Sequence, residues 1–199
     1  MDILPITTDY RESREGNIEL IRSLKPNVTM DEALRTFCAP GPSSLYWRLL
    51  TGPLQKIAEA YVPFRLYRVR YLMNKEKMQR IFAMDAVNGS LDLFEFRTPP
   101  QEEEMVTVQT RNCLSAALEE EQALQILRDK VLRIIFQQGF FKLRSASLEL
   151  EALPGEIYLL YWLAFYGPSN ALRCRVMDAV RRRLEGAKAA TFFEQWLAA

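Results

Sequence analysis

The chain has 199 residues, 49% of them hydrophobic and 11% aromatic, enough apolar material for a proper core and too much for a disordered segment. Its formal charge is +1, so no overall field marks it for nucleic acid. It contains no histidine, which removes Ser-His-Asp and Cys-His nucleophile systems, His-ligated zinc and the usual general base near neutral pH.

In chain order, residues 1–28 read as an arm of mixed charge and little periodicity, with room for one short helix. Thr29 offers an N-cap, Asp31 and Glu32 fall in the first turn, and Met30, Ala33, Leu34 and Phe37 have helical spacing. Pro40-Gly41-Pro42 ends that helix, and a second short one is expected from Ser43 to Leu50, before Gly52-Pro53. From Leu54 to Phe96 the period becomes two: Phe64, Leu66, Val69 and Tyr71 interleave with Arg65, Arg68 and Arg70. Asn74-Lys75-Glu76-Lys77 reads as a loop, Arg80 to Val87 as a strand, Asn88-Gly89 as a tight hairpin and Leu91 to Phe96 as the returning strand.

Residues 98–112, with Pro99-Pro100 and Glu102-Glu103-Glu104, form the expected linker. The longest helix is expected from Ser115 to Gln138, with Leu118, Ala123, Leu124, Leu127, Val131, Ile134 and Ile135 as its apolar stripe. Phe140 to Leu153 alternates as a strand. Ile157 to Tyr166, bounded by Pro154-Gly155 and Gly167-Pro168, reads as a central strand buried on both faces. It has about half of the ~20 residues that a membrane helix needs, so no membrane span is expected. Ala171 to Val180 and a helix from Ala187 to Ala198 complete the chain.

Met84-Asp85-Ala86-Val87 recurs as Met177-Asp178-Ala179-Val180, each time after an aromatic-rich strand, and Asp31-Glu32-Ala33-Leu34 matches Glu121-Gln122-Ala123-Leu124 upstream. The expected fold class is therefore α+β, built from two similar helix-plus-antiparallel-meander units by internal duplication. The units are residues 29–97 and 113–199.

The candidate chemistry is sparse. Asp85 and Asp178 would form an acid–base pair if the two units brought them together; the simpler expectation is that each fixes a turn through backbone amides. Arg173, Arg175, Arg181, Arg182 and Arg183 form the one dense basic patch, a candidate binding surface that acidic runs such as Glu102-Glu103-Glu104 or Glu119-Glu120-Glu121 could neutralise. Tyr158, Tyr161, Trp162, Phe165 and Tyr166 are candidates to line a pocket or, more simply, core. Cys38, Cys113 and Cys174 have neither metal-ligand nor disulfide spacing, and Met1-Asp2 starts no signal peptide, so the expected location is cytoplasmic. No metal site and no cofactor motif is seen.

The stretch Tyr67 to Phe96, a strand closing on Met84-Asp85-Ala86-Val87 before the turn glycine Gly89, resembles the ending of PepSY-type domains. The helix before the strands is similar to the cystatin-like plan of one helix wrapped by an antiparallel sheet. The second unit departs from the pattern, because Arg181-Arg182 stands where Asn88-Gly89 would be. The resemblance implies small binding or inhibitory modules without catalytic residues. The expected function is thus a non-catalytic binding or scaffolding module, working through a protein partner or as a homo-oligomer. A small-molecule pocket protein or a carboxylate-dependent enzyme is the alternative.

Overall fold

The structure, a computed structural model, describes residues 18–39, 52–73, 76–137, 148–168 and 172–198. They form an α+β fold around one curled eight-stranded sheet. Its strands are β1 (Glu19–Leu24), β2 (Leu54–Met73), β3 (Glu76–Asp85), β4 (Phe94–Phe96), β5 (Met105–Thr110), β6 (Glu149–Tyr166), β7 (Arg173–Asp178) and β8 (Arg183–Leu184). The described helices are α1 (Met30–Cys38), α2 (Glu120–Gln137) and α3 (Ala187–Ala198). No described helix is long and apolar enough to cross a membrane.

The centre is the antiparallel pair β2·β6, which runs from Leu54↔Tyr166 to Arg70↔Glu149. Both strands are rich in aromatic and aliphatic residues because both of their faces are covered. One face (Val62, Phe64, Leu159, Tyr161, Leu163) lies under Phe192 and Phe193 of α3. The other carries two clusters: Leu160, Trp162 and Tyr166 under Ala33 and Phe37 of α1, and Tyr67, Val69 and Tyr71 under Ala123, Leu127, Val131 and Ile135 of α2. The apolar stripe expected for the long helix is thus the stripe that α2 buries.

The pairing is two-fold symmetric about Val62↔Leu159. On the outer edge of β2, β3 sets Asp85 opposite Phe64; on the outer edge of β6, β7 sets Asp178 opposite Tyr161. The Ala86 amide donates to Pro63 O at 2.8 Å, and the Ala179 amide to Leu160 O at 3.0 Å. Cys113 lies parallel to Tyr61, and Ser23 lies parallel to Tyr158. Ala86 O accepts from the Ala117 amide just before α2, and Ala179 O from the Asn27 amide just before α1, at 2.9 and 2.8 Å. Each helix therefore packs on the hairpin formed by the other stretch of sequence: α1 on β6–β7, α2 on β2–β3.

Several expectations need correction. The described part of the arm contains a strand: β1 pairs antiparallel with β5 from Glu19↔Thr110 to Leu24↔Met105. Exposed Glu19, Leu20 and Arg22 mask the buried Ile21, Ser23 and Leu24, so the alternation reads as noise. The stretch expected as a linker holds a 3-10 turn, Glu102–Glu104, and the strand β5. Asn88-Gly89 does not make a two-residue hairpin. Residues 86–93 form a wide loop before Ala83↔Phe94 resumes the ladder, and only Phe94–Phe96 return as strand. Glu76 and Lys77, expected in a loop, extend β3. The long helix starts at Glu120, leaving Leu118 buried ahead of it. Pro154-Gly155 does not end a strand either. It forms an irregularity within β6, where pairing steps from Arg65↔Glu156 to Tyr67↔Ala152 and Gly155 takes a φ of 88°. The short helix expected at Ser43 to Leu50 lies outside the described residues, as do residues 140–147 of the strand expected at Phe140 to Leu153.

Candidate functional site

The two aspartates end β3 and β7, and both are completely buried. Asp85 Oδ1 accepts from the amides of Asn88 (3.1 Å) and Gly89 (2.8 Å), and Oδ2 from the Leu91 amide (2.8 Å). Asp178 Oδ1 accepts from the amides of Val180 and Arg181, both at 2.8 Å, and Oδ2 from Arg181 Nε at 2.6 Å. A carboxylate suits this place because it offers several lone pairs to amides that the turning chain leaves without sheet partners. The register does not bring the aspartates together. Strands β2 and β6 stand between them, offset so that Phe64 faces Ile157 and Tyr161 faces Ala60. At ordinary strand spacing and rise, this is on the order of 15–20 Å along the sheet. An acid–base dyad needs contact distance.

The loops that follow the aspartates do meet, through the arginines. Arg181 Nη1 donates to Leu93 O at 3.4 Å, and its guanidinium lies 4.9 Å from the Phe94 ring centroid. Arg183 pairs with Asp92 at 3.1 Å and with Glu185 at 2.9 Å, and Arg182 pairs with Glu32 of α1 at 3.3 Å. The Glu185 hydrogen bond holds the Arg183 guanidinium pKa above its ordinary value. Arg175 lies about 6 Å from the rings of Phe37 and Tyr166. Arg173 is exposed at the start of β7, opposite Tyr166. The basic patch is therefore largely neutralised inside the chain. Its partners are Glu32, Asp92, Asp178 and Glu185, not the acidic runs; Glu102 instead pairs with Arg22 at 2.6 Å.

The aromatic candidates divide between the two faces of β6 and line no common pocket. Tyr161 sits in the α3 core, its ring 5.4 Å from Phe193, and burial, reinforced by Asp178, pushes its phenol far above the ordinary value. Trp162 and Tyr166 point the other way and hold α1: Trp162 Nε1 donates to Val28 O at 3.0 Å and Tyr166 OH to Phe37 O at 3.1 Å. Tyr158 is partly buried, and its carbonyl accepts from Ser23 Oγ at 2.9 Å. Cys174 is buried, and burial followed by the charge of Glu194 pushes its thiol up to about 12, which makes it unreactive.

Open grooves also occur among the described residues. One, of about 520 Å³, runs between α1 and β8 and is lined by Val28, Glu32, Arg35, Thr36, Met177, Arg182 and Leu184. Another, of about 550 Å³, lies where the chain enters α2, between Arg65, Tyr67, Leu118, Gly155 and Glu156. There Arg65 is spent: Nη1 donates to Leu118 O at 2.7 Å and Nε pairs with Glu156 at 2.9 Å. Among the described residues no cluster of acidic or cysteine side chains could hold a metal ion.

Two features went unread in the sequence. Arg65 and Trp162 do the same job, each donating to the carbonyl that precedes a helix, and no likeness of residue type announces it. Lys130 was legible: it lies three residues after Leu127 and four before Ile134, inside the apolar stripe of α2, where a lysine is out of place. No protein-family model, curated protein or solved structure matches the chain.

Proposed function

We propose that this chain is a non-catalytic binding module that engages a protein partner through the groove between α1 and β8. The observation that carries this reading is a contrast in use. The candidate carboxylates are consumed by turn amides, and most of the candidate arginines by internal ion pairs or ring contacts, whereas the apolar Leu184 on this groove faces solvent. Leu184 is 41% exposed, and the buried Val28 and Met177 also line the groove. An apolar lining rimmed by both signs of charge, here Glu32, Arg35 and Arg182, suits a protein surface better than a small polar ligand. A cytoplasmic setting fits an odd number of widely spaced cysteines, Cys38, Cys113 and Cys174.

The module is further proposed to have arisen by internal duplication of a helix-plus-antiparallel-meander unit with exchange of helices. Support comes from equivalent positions: Tyr61 and Tyr158 each lie parallel to a residue of another stretch, Asp85 and Asp178 each accept from turn amides, and the Val28 and Leu118 carbonyls each accept from a side chain of the central strands. Unit boundaries at 29–97 and 113–199 follow the sequence repeat. The likeness to PepSY-type and cystatin-like units draws on the same helix-on-hairpin arrangement and on the aspartate that closes each hairpin.

The test is a photo-crosslinking residue placed at Leu184 in one sample and at Glu76, on the far hairpin, in another. The expected result is one defined adduct, identified by mass and remade with purified components, formed from position 184 alone and abolished by Arg35→Glu, on the facing wall of the groove. Equal background labelling from both positions, or an adduct indifferent to Arg35→Glu, would sink the reading.

A further inference from the structure

The edges of the curled sheet are not alike. Strands β4 and β8 are only three and two residues long. Beyond β4, the outer side of β3 carries Glu76, Lys77 and Arg80; the first half of β6, paired with β2 alone, carries Glu149, Glu151 and Pro154. On β7 the Cys174 amide is taken by Glu194 of α3 at 3.3 Å. Short strands, charge, proline and a covering helix all discourage a further strand from pairing. Strand β5 has none of these: Met105–Thr110 contains no charge, proline or glycine, and among the described strands it pairs with β1 alone.

The ladder fixes which groups of β5 look outward. The Lys25 amide donates to Glu104 O at 2.9 Å, one step beyond Leu24↔Met105, so the pairs that exchange hydrogen bonds fall at Val106, Val108 and Thr110. The amides and carbonyls of Met105, Thr107 and Gln109 therefore point away from β1. The Met105 amide closes the 3-10 turn on Glu102 O, while the Thr107 and Gln109 groups have no partner among the described residues.

We propose that β5 pairs antiparallel with β5 of a second copy of this chain, joining the two sheets across a two-fold axis at Thr107. The sequence is complementary to itself in that register. Val106 opposes Val108 of the second copy, the two Thr107 residues exchange backbone hydrogen bonds, and each Gln109 amide meets the other copy's Met105 carbonyl. Glu103 and Arg111 stand at equal distances on either side of Thr107. Both are exposed, neither has an ion pair among the described residues, and the axis sets each beside its opposite charge in the second copy. Centring the axis on Val108 would suit the same backbone groups but would set Arg111 beside Met105 and leave Glu103 unmatched, so charge selects Thr107. Each copy closes the other's edge, and the assembly stops at a dimer instead of growing into a fibre. This edge shares no residue with the groove between α1 and β8.

Sedimentation of the full chain should give a monomer–dimer equilibrium, with the Thr107 and Gln109 amides protected from exchange in the dimer. Thr107→Pro removes an outward amide and leaves the β1 ladder whole, so it should weaken association at least about tenfold with the circular dichroism unchanged. Glu103→Arg and Arg111→Glu each bring like charges together at two symmetric places and should each weaken it several-fold, whereas the double variant should restore it. A chain that stays monomeric at every concentration overturns the proposal. So does a dimer indifferent to Thr107→Pro, or a double variant no better than the singles. A monomer with those amides protected assigns the edge to another segment of the chain and overturns it equally.

Discussion

The loops after Asp85 and Asp178 solve one problem with different residues. Each carboxylate gathers the amides of a chain leaving the sheet, and in each the fourth residue after the aspartate takes a left-handed conformation. In the first loop that residue is Gly89, at a φ of 67°; in the second it is Arg182, at 57°. Glycine adopts this backbone without penalty, whereas a residue with a Cβ pays on the order of 1 kcal/mol. The third hydrogen bond to the carboxylate differs too, a Leu91 amide in one loop and the Arg181 guanidinium in the other. What is constant is the buried acceptor. The donors around it are interchangeable, and so is the residue that makes the turn.

The sharpest way to break the comparison is to remove the acceptors. Asp85→Ala leaves three amides, two of them buried, without partners and should cost about 3–5 kcal/mol. Asp178→Ala strips two amides and removes the nearer carboxylate partner of Arg181, leaving Glu185 at 3.7 Å, for about 3–4 kcal/mol. Urea midpoints measure both. Asp→Asn should separate the loops: at position 85 the amide oxygen still accepts from the Asn88 and Gly89 amides and only the Leu91 amide loses its acceptor, whereas at position 178 the charge that faces Arg181 is removed. Equal costs for the two Asn variants would refute the claim that the loops differ in this respect.

The helix clasps come next. Trp162→Ala deletes a buried ring along with its bond to Val28 O and should cost about 3–4 kcal/mol, against about 1–2 kcal/mol for Arg65→Ala, whose side chain is partly exposed. The loss should be read as fraying of α1 in the first variant and of the approach to α2 in the second, by amide hydrogen exchange. Fraying of the same helix in both would contradict the exchange of helices.

The smallest effects test the turn position, and they have opposite signs. Gly89→Ala should lose about 1–2 kcal/mol, from the left-handed backbone and the crowding by Ile126. Arg182→Gly should gain about 0.5–1 kcal/mol, because relief of strain outweighs an exposed ion pair with Glu32. Thermal unfolding of the two single variants decides it.

Much of this molecule is written locally. The apolar stripe of α2, the buried run of β6, the final helix and the turn-fixing chemistry of Asp85 follow from spacing and residue type, whereas only Ala33 and Phe37 of the stripe expected for α1 are buried and Met30 and Leu34 face solvent. The β1 and β5 strands do not, since each is six residues long and shows inward-facing residues only once it has a neighbour. The candidate surface behaved similarly. Arg181, Arg182 and Arg183 are adjacent in sequence, yet their partners Asp92 and Glu32 are distant in the chain, so a patch that reads as free charge is internally satisfied.

By itself, the chain determined its α+β class and its repeated aspartate turn, because hydrophobic period and turn chemistry act over a few residues. It also excluded histidine chemistry by simple omission. Only the tertiary structure decided that both hairpins share one sheet, that each helix crosses to the other hairpin, and that Lys130 meets a loop carbonyl rather than water. Those outcomes depend on long-range pairing, in which many alternatives have the same local pattern and only the common core selects among them.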